Sequence, residues 1–140
     1  LRRLGARDFI DRKTLSEAGR PLQEERWMGA VDSVGSTTLA NVLAQTARDG
    51  AVAACGLAGG PDLPTTVMPH ILRAVTLIGV DSVFAPPKRR EAAWRLLQNN
   101  LTPEHIDLVT AGEIDLQGLP QAAEDILAGK VRGRLIVKVA

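Results

Sequence analysis

Three short apolar runs follow one another in the chain: WMGAVDSV at residues 27–34, AVAACG at 51–56 and VTLIGV at 75–80. Each run is nearly continuous in apolar residues, which is typical of strands covered on both faces in a parallel sheet. Segments of helical period separate the runs. The pattern therefore predicts an α/β fold built on a doubly wound parallel sheet.

Two more strands and four helices are predicted around these runs. The outer strands are DFID at 8–11 and LIVKV at 135–139. The helices are predicted from apolar positions three and four residues apart. They are Leu39–Ala47 behind Ser36 and Thr37 as caps, Val67–Leu72 behind Thr65 and Thr66, a helix from Pro86-Pro87 to Leu101, and Leu119–Leu127 before Gly129.

The composition excludes several classes of protein. A chain of 140 residues that is 45% hydrophobic can bury one core. Its formal charge of +1 is too balanced for a surface that holds a nucleic-acid backbone. The single Cys55 excludes an internal disulfide framework and a cysteine-built zinc site. Without a run of eighteen apolar residues or a signal peptide, we expect a cytoplasmic protein with no membrane span.

Small or polar residues follow three successive predicted strands, at Asp32–Gly35, at Gly56–Gly60 and at Asp81-Ser82. In open α/β sheets, ligands bind outside the carboxyl ends of the strands, so this placement predicts a nucleotide site. No G-x-G-x-x-G motif follows a strand. Either the chain is not a dinucleotide-binding domain, or the first half of that domain precedes Leu1, as a chain without an initial Met suggests.

The segments WMGAVDSVG (27–35), GAVAACGLAGGP (50–61), LPTTVMPHIL (63–72), GVDSVFAPP (79–87) and Gly133-Arg134 carry a family resemblance. Together they resemble the acrylyl-CoA reductase branch of the zinc-independent medium-chain dehydrogenases/reductases, the quinone oxidoreductase family. The resemblance covers the family's C-terminal portion only. It implies a partial Rossmann domain without its first strands, and a homodimeric enzyme that uses NADPH to reduce the double bond of acrylyl-CoA.

The resemblance also implies four cofactor-binding residues. Arg12 would face the ribose phosphate of NADPH, and Leu57 would border the nicotinamide. Ile71 would line the same crevice, and Ser82 would hydrogen-bond the cofactor's amide or ribose. Without the resemblance, Arg12 is a solvated loop residue, whereas Leu57 and Ile71 are ordinary core residues.

No catalytic or metal-binding residue is predicted in this chain. We interpret Cys55 as a small buried core residue, because no histidine pairs with it in the sequence. His70 and His105 lack neighbouring ligands at metal spacing. Asp32 is expected to cap the turn that follows its strand.

The cluster Lys88-Arg89-Arg90 directly follows Pro86-Pro87 at a predicted helix start, where cations are mildly unfavourable. One hypothesis is that it binds the phosphates of a CoA thioester. The alternative is a solvated basic patch paired with Glu91 and other carboxylates.

We expect residues 1–112 to belong to the NADP-binding domain and residues 113–140 to return to the catalytic domain of a longer enzyme. Strand 8–11 would then lack its neighbours, and residues before Arg26 would be held least firmly. Strand 75–80 would form the edge that pairs in a homodimer. The alternatives are a reductase of quinones or other enones, and a non-enzymatic α/β module that binds a nucleotide or a protein. As a separate piece, this chain is expected to be inactive.

Overall fold

The computed structural model describes residues 1–139, which form two compact units. The central unit is Asp8–Ala85, and the terminal unit combines Leu1–Arg7 with the chain from Pro86 onward. Each unit contains a parallel sheet and helices, which confirms the predicted α/β class. Across residues 1–139, every helix is too short or too polar to cross a membrane.

The central unit is a three-stranded parallel sheet in the order β1-β2-β3. Residues paired in register form rows across the three strands, and Ala30, Val52 and Leu77 make up one such row. The elements are β1 (Trp27–Asp32), α1 (Ser36–Ala44), β2 (Thr46–Ala54), α2 (Met68–Arg73) and β3 (Thr76–Gly79).

The core of the central unit lies on one face of this sheet and consists of Leu39, Val42, Leu43, Val52 and Val75. The adjacent row, Val31-Ala53-Ile78, points to the opposite face because side chains alternate along a strand. Val31 is 80% exposed. The expectation that these strands are covered on both faces is therefore wrong for residues 1–139, since the core cluster packs against one face only.

Helix α1 ends at Ala44, three residues earlier than predicted. Strand β2 already starts at Thr46, which pairs with Trp27 before a bulge shifts the register. The Thr46 hydroxyl donates back to the Val42 carbonyl at 2.8 Å and so occupies an acceptor of the last helical turn. The N-cap is Gly35 rather than the predicted Ser36 or Thr37.

Residues 8–11 form no strand, so that prediction is wrong. A strand needs a partner for its backbone groups, and this segment pairs with no described strand. Asp11 instead caps a short 3-10 helix, Arg12–Leu15, by accepting a hydrogen bond from the Lys13 N–H at 3.0 Å.

The terminal unit has two parallel strands joined through a helix. The predicted helix 119–127, the helix that starts after Pro86 and the last strand are confirmed. The helix at Pro103–Val109 and the strand at Thr110–Asp115 were not predicted. The elements are α3 (Pro87–Asn100), α4 (Pro103–Val109), β4 (Thr110–Asp115), α5 (Leu119–Leu127) and β5 (Arg134–Lys138).

Candidate functional site

A cleft of about 600 Å³ lies beside the carboxyl end of β1 in the central unit. We call it the Arg12 cleft. Its volume is in the range of small-molecule and cofactor sites. Three segments line it: the 3-10 helix and Ser16, the start of α1, and the turn after β2. The lining residues are Arg12, Lys13, Ser16, Val34, Gly35, Ser36, Thr37, Thr38, Ala58 and Gly59.

The turns that follow β1 and β2 are joined backbone to backbone. The Gly59 N–H donates to the Val34 carbonyl at 2.7 Å, and Gly35 and Gly60 form an isolated parallel bridge. Gly35 has a φ of +76°, and a Cβ on it would meet the Gly60 carbonyl oxygen at 2.5 Å. Only glycine fits this position without strain. The glycines of the CGLAGG segment and of the turn after β1 therefore bring two strand ends to one wall.

Asp32 caps the turn that follows β1, as predicted. It is 4% exposed, and its Oδ2 accepts hydrogen bonds from the backbone N–H groups of Val34 at 3.2 Å and Gly35 at 2.7 Å. The carboxylate therefore closes the turn on itself and is not directed into the cleft as a free acid or base. Thr37 and Thr38 follow this turn in the first helical turn and line the cleft.

The electrostatics of the Arg12 cleft favour an anion. Arg12 and Lys13 supply two positive side chains, and none of the ten lining residues is acidic. The helix dipole adds partial positive charge at the N-terminus of α1. The Ser36 N–H donates to the Asp62 backbone carbonyl at 3.1 Å, and the Leu39 N–H is the first in the helix that donates back to the Gly35 carbonyl. The N–H groups of Thr37 and Thr38 lie between these two donors.

The structure places the four residues singled out by the family resemblance on a 3-10 helix, after two strands and on one α-helix. Arg12 lines the cleft, and Leu57 lies in the turn after β2, next to the lining residue Ala58. Leu57 is 66% exposed and Ile71, on α2, is 71% exposed, so neither is a core residue. Ser82 follows β3, and neither Ile71 nor Ser82 is among the residues that line the Arg12 cleft.

Sequence reasoning missed Lys13, Ser16 and the two threonines as lining residues. A local signal was available for the first two. Asp11 followed by Lys13, Thr14 and Ser16 is a capping pattern, in which the Ser16 hydroxyl donates to the Arg12 carbonyl at 2.9 Å. Arg12 and Lys13 lie in this turn, and both line the cleft.

Cys55 is exposed, so the expectation of a buried cysteine is wrong. It lies one residue beyond the end of β2, where its thiol donates to the Asp32 carbonyl at 3.3 Å. His70 Nδ1 lies 2.7 Å from the Val75 carbonyl, and His105 Nδ1 accepts from the Thr102 N–H in a capping box of α4. Within residues 1–139, no three His, Cys, Asp or Glu side chains are grouped to hold a metal ion.

The basic cluster Lys88-Arg89-Arg90 lies in the first turn of α3, which contains no acidic residue. Glu91 pairs with Arg95 at 3.9 Å. The CoA-phosphate hypothesis for this cluster remains a prediction.

Parallel strands, an anion-favouring cleft at their carboxyl ends and glycine turns on its wall are the features of a Rossmann-type fold. No protein-family model matches the chain. Curated proteins do match over nearly all of it. It is 51% identical to an Escherichia coli protein named "Probable acrylyl-CoA reductase AcuI", over 99% of this chain and 42% of that protein. It is 39% identical to YhfP of Bacillus subtilis, named as a quinone oxidoreductase, with the same coverage.

Solved structures agree with these relatives. The YhdH oxidoreductase of Salmonella enterica in complex with NADP is 47% identical, with a TM-score of 0.94 over 99% of this chain and 42% of that one. E. coli YhdH with bound NADPH is 48% identical, with a TM-score of 0.92 and the same coverage. B. subtilis YhfP with NAD bound is 39% identical, with a TM-score of 0.91 and again the same coverage.

The chain belongs to the medium-chain dehydrogenase/reductase family, in the branch that contains acrylyl-CoA reductases and quinone oxidoreductases. It spans 42% of the length of those two curated relatives. The resemblance read from the sequence and the partial Rossmann fold are both confirmed.

Proposed function

We propose that this chain forms part of the cofactor site of an NADPH-dependent oxidoreductase that reduces the double bond of acrylyl-CoA. One observation carries the proposal: Arg12 and Lys13 stand in a cleft of about 600 Å³ with the N-terminus of α1 and no acidic lining residue. The complexes of similar proteins with NADP and NADPH support the choice of cofactor.

The residues present fit a phosphorylated nucleotide. A guanidinium binds a phosphate through two parallel hydrogen bonds, and we assign Arg12 to the ribose phosphate of NADPH. Lys13 adds a second charge on the same turn. NADPH, when bound, supplies the hydride that the reduction of a carbon–carbon double bond consumes.

The remaining assigned residues would contact the part of the cofactor that extends from the Arg12 cleft toward β3. Leu57 would border the nicotinamide from the turn after β2. Ile71 would add an apolar wall, which its 71% exposure on α2 leaves accessible to a ligand. Ser82 would hydrogen-bond the amide or ribose. The chain contributes no proton donor in this proposal, and residues 113–140 would return to the domain that binds the substrate.

We further propose a cytoplasmic homodimer that pairs through β3. This strand is the outer member of the sheet in the order β1-β2-β3. Ile78 and Val80 at this edge are 48% and 45% exposed. An exposed apolar edge is an aggregation hazard unless another chain covers it.

NADPH binding tests the proposal directly. The fluorescence of NADPH is titrated with this chain and with the chain extended upstream to the length of its relatives. We expect tight binding by the extended form, because the missing glycine-rich motif supplies the pyrophosphate contacts. If neither form binds NADPH, the oxidoreductase proposal is wrong and the non-enzymatic module is favoured.

Arg12→Ala separates the assigned contact from general binding. Loss of a charge-assisted hydrogen bond costs about 1.5–3 kcal/mol, so the Kd for NADPH should rise roughly 10-fold to 100-fold. The Kd for NADH, which lacks the ribose phosphate, should change less than about threefold. Arg48→Ala is the matched control, since Arg48 lies on β2 outside the cleft. Equal loss for both nucleotides would contradict the assignment of Arg12.

The substrate is tested by steady-state kinetics of the extended enzyme with acrylyl-CoA and with a quinone. We expect the larger kcat/KM for acrylyl-CoA, given the 51% identity to a protein of that name. The relative named as a quinone oxidoreductase supports the alternative. A larger value for the quinone would replace acrylyl-CoA as the substrate and leave the cofactor assignment intact.

A further inference from the structure

Asn41 is a buried polar residue in the middle of α1, a position at which an apolar side chain could be buried without a desolvation penalty. It is 4% exposed. Its Nδ2 donates to the carbonyls of Leu15 at 3.0 Å and Glu17 at 2.7 Å, and its Oδ1 accepts from Gln23 Nε2 at 2.8 Å. Both amide hydrogens and the oxygen are therefore directed at one irregular segment.

That segment is pressed directly against the Asn41 side chain. A Cβ built on Gly19 would overlap Asn41 Oδ1 and would lie 2.5 Å from Gln23 Nε2. The backbone at Gly19 thus touches the amide without an intervening side chain. Any sliding of this segment along α1 would break the hydrogen bonds to Asn41.

The segment that Asn41 holds is the one that carries Arg12. Leu15 is the last residue of the 3-10 helix that begins at Arg12, and its side chain packs against the core. Asn41 lies on the same helix whose first turn, at Thr37 and Thr38, forms the facing wall of the Arg12 cleft. One side chain therefore links the two walls that would hold the phosphate.

We propose that Asn41 is a positioning residue for cofactor selectivity: it fixes the Arg12 helix against the N-terminus of α1 and so sets the preference for NADPH over NADH. This inference rests on the proposed function of the cleft. Asn41 lies about one helical turn after the lining residues Thr37 and Thr38 and is not among the lining residues. It acts through Arg12.

A purely structural role predicts a different result. If Asn41 only satisfied buried carbonyls, its loss would weaken the fold and reduce the binding of both nucleotides alike. If it positions Arg12, its loss should reduce the binding of NADPH alone and should have no effect once Arg12 is absent. The ratio of the two dissociation constants distinguishes these roles, because a general loss of folded protein cancels in the ratio.

The test is a double-mutant cycle on the extended protein, with Kd values for NADPH and NADH from fluorescence titration. The variants are Arg12→Ala, Asn41→Ala and the pair. We expect Asn41→Ala to raise the Kd for NADPH about fivefold and to leave that for NADH within twofold. The double variant should bind NADPH no more weakly than Arg12→Ala alone.

Two further variants control for folding. Thr46→Val removes another buried hydrogen bond, to the Val42 carbonyl, and should leave the NADPH/NADH ratio unchanged. Gly19→Ala disturbs the contact between Gly19 and Asn41 from the exposed loop and should reproduce the effect of Asn41→Ala. It therefore still tests the role of Asn41 if the Asn41→Ala variant does not fold.

Equal weakening for both nucleotides, or multiplicative effects in the double variant, would overturn the role of Asn41 while the cofactor assignment stands. If the wild-type protein binds no NADPH, the proposed function fails, and this inference fails with it. If Arg12→Ala leaves the ratio of the Kd values for NADPH and NADH unchanged, the assignment of Arg12 to the ribose phosphate is wrong. The positioning role of Asn41, which acts through Arg12, is then wrong as well.

Discussion

Arg73 provides the sharpest test of what holds the central unit together. It lies at the end of α2, and its side chain is 15% exposed. Its Nη2 donates to the Gln23 carbonyl at 2.6 Å, and its Nη1 donates to the carbonyls of Ala44 at 3.0 Å and Thr46 at 3.4 Å. Its Nε lies 3.2 Å from Glu25 Oε1. One guanidinium therefore joins α2, the end of α1, the start of β2 and the irregular segment before β1.

The cost of Arg73→Met follows from these distances. A hydrogen bond from a charged donor contributes about 1.5–3 kcal/mol, and two of the three carbonyl bonds have good lengths. The pair with Glu25 adds little, because that carboxylate is 43% exposed and the solvent screens it. Two bonds at the lower value predict a loss of about 3 kcal/mol in the free energy of unfolding. In the extended protein, which is longer than 150 residues, the Tm should fall by at most about 6–12 °C.

The measurement is thermal and urea unfolding of the extended protein, followed by circular dichroism. Arg73→Lys should recover only part of the stability, because an ammonium group cannot reach three separated carbonyls at once. Arg48→Ala, an exposed arginine on β2, should change stability by less than about 0.5 kcal/mol. A loss below about 1 kcal/mol for Arg73→Met would refute the reasoning, since the three carbonyls would then find other partners at no cost.

Two further predictions concern one position in each unit. Gly35→Ala should lower the free energy of unfolding by about 1–3 kcal/mol and weaken NADPH binding, because Gly35 has a φ of +76° and the new Cβ would collide with the Gly60 carbonyl. Unfolding curves measure the first effect and NADPH titration the second. Unchanged NADPH binding would contradict the assignment of this turn to the wall of the cofactor site. In the terminal unit, the hydrogen bond and then the charge of Glu113 raise the pKa of Lys138 above its ordinary value, so the contribution that this shift makes to stability is lost as pH rises through the raised pKa. Glu113→Gln should return the pKa of Lys138 to its ordinary value in an NMR titration, and a pKa that stays raised would exclude the pair as its cause.

The sequence predicted those elements whose pattern is local. Helix α5 was predicted at its observed bounds, because an apolar face and the Gly129 that follows it mark the helix without reference to the rest of the chain. Strand β4, TAGEID, was missed because Gly112 and Glu113 interrupt its apolar character. Its burial alternates residue by residue, a pattern that only the pairing with β5 makes visible.

The failed predictions depend on partners that a local pattern does not contain. Asp8–Asp11 has the composition of a strand but pairs with no described strand, so Asp11 serves as a cap instead. Cysteine is a residue type common in protein cores, and Cys55 follows an apolar run. Strand β2 nevertheless ends at Ala54, one residue before Cys55, and Cys55 is exposed. The role of Arg12 was inferred from the family resemblance alone. Asn41 was missed because a single polar residue in a helix carries no sign that it is buried.

The division of the chain into two units also fixes an order of events during synthesis. Residues 8–85 form one continuous unit, so they can fold as soon as they leave the ribosome. Leu1–Arg7 are translated earlier but belong to the same unit as the chain from Pro86 onward. In the sequence, the whole central unit separates these seven residues from the rest of their unit. The entropy of closing that loop is smaller once its interior has already folded. Residues 1–7 are therefore translated before the central unit but reach their native contacts only after Pro86 and the residues beyond it have been made.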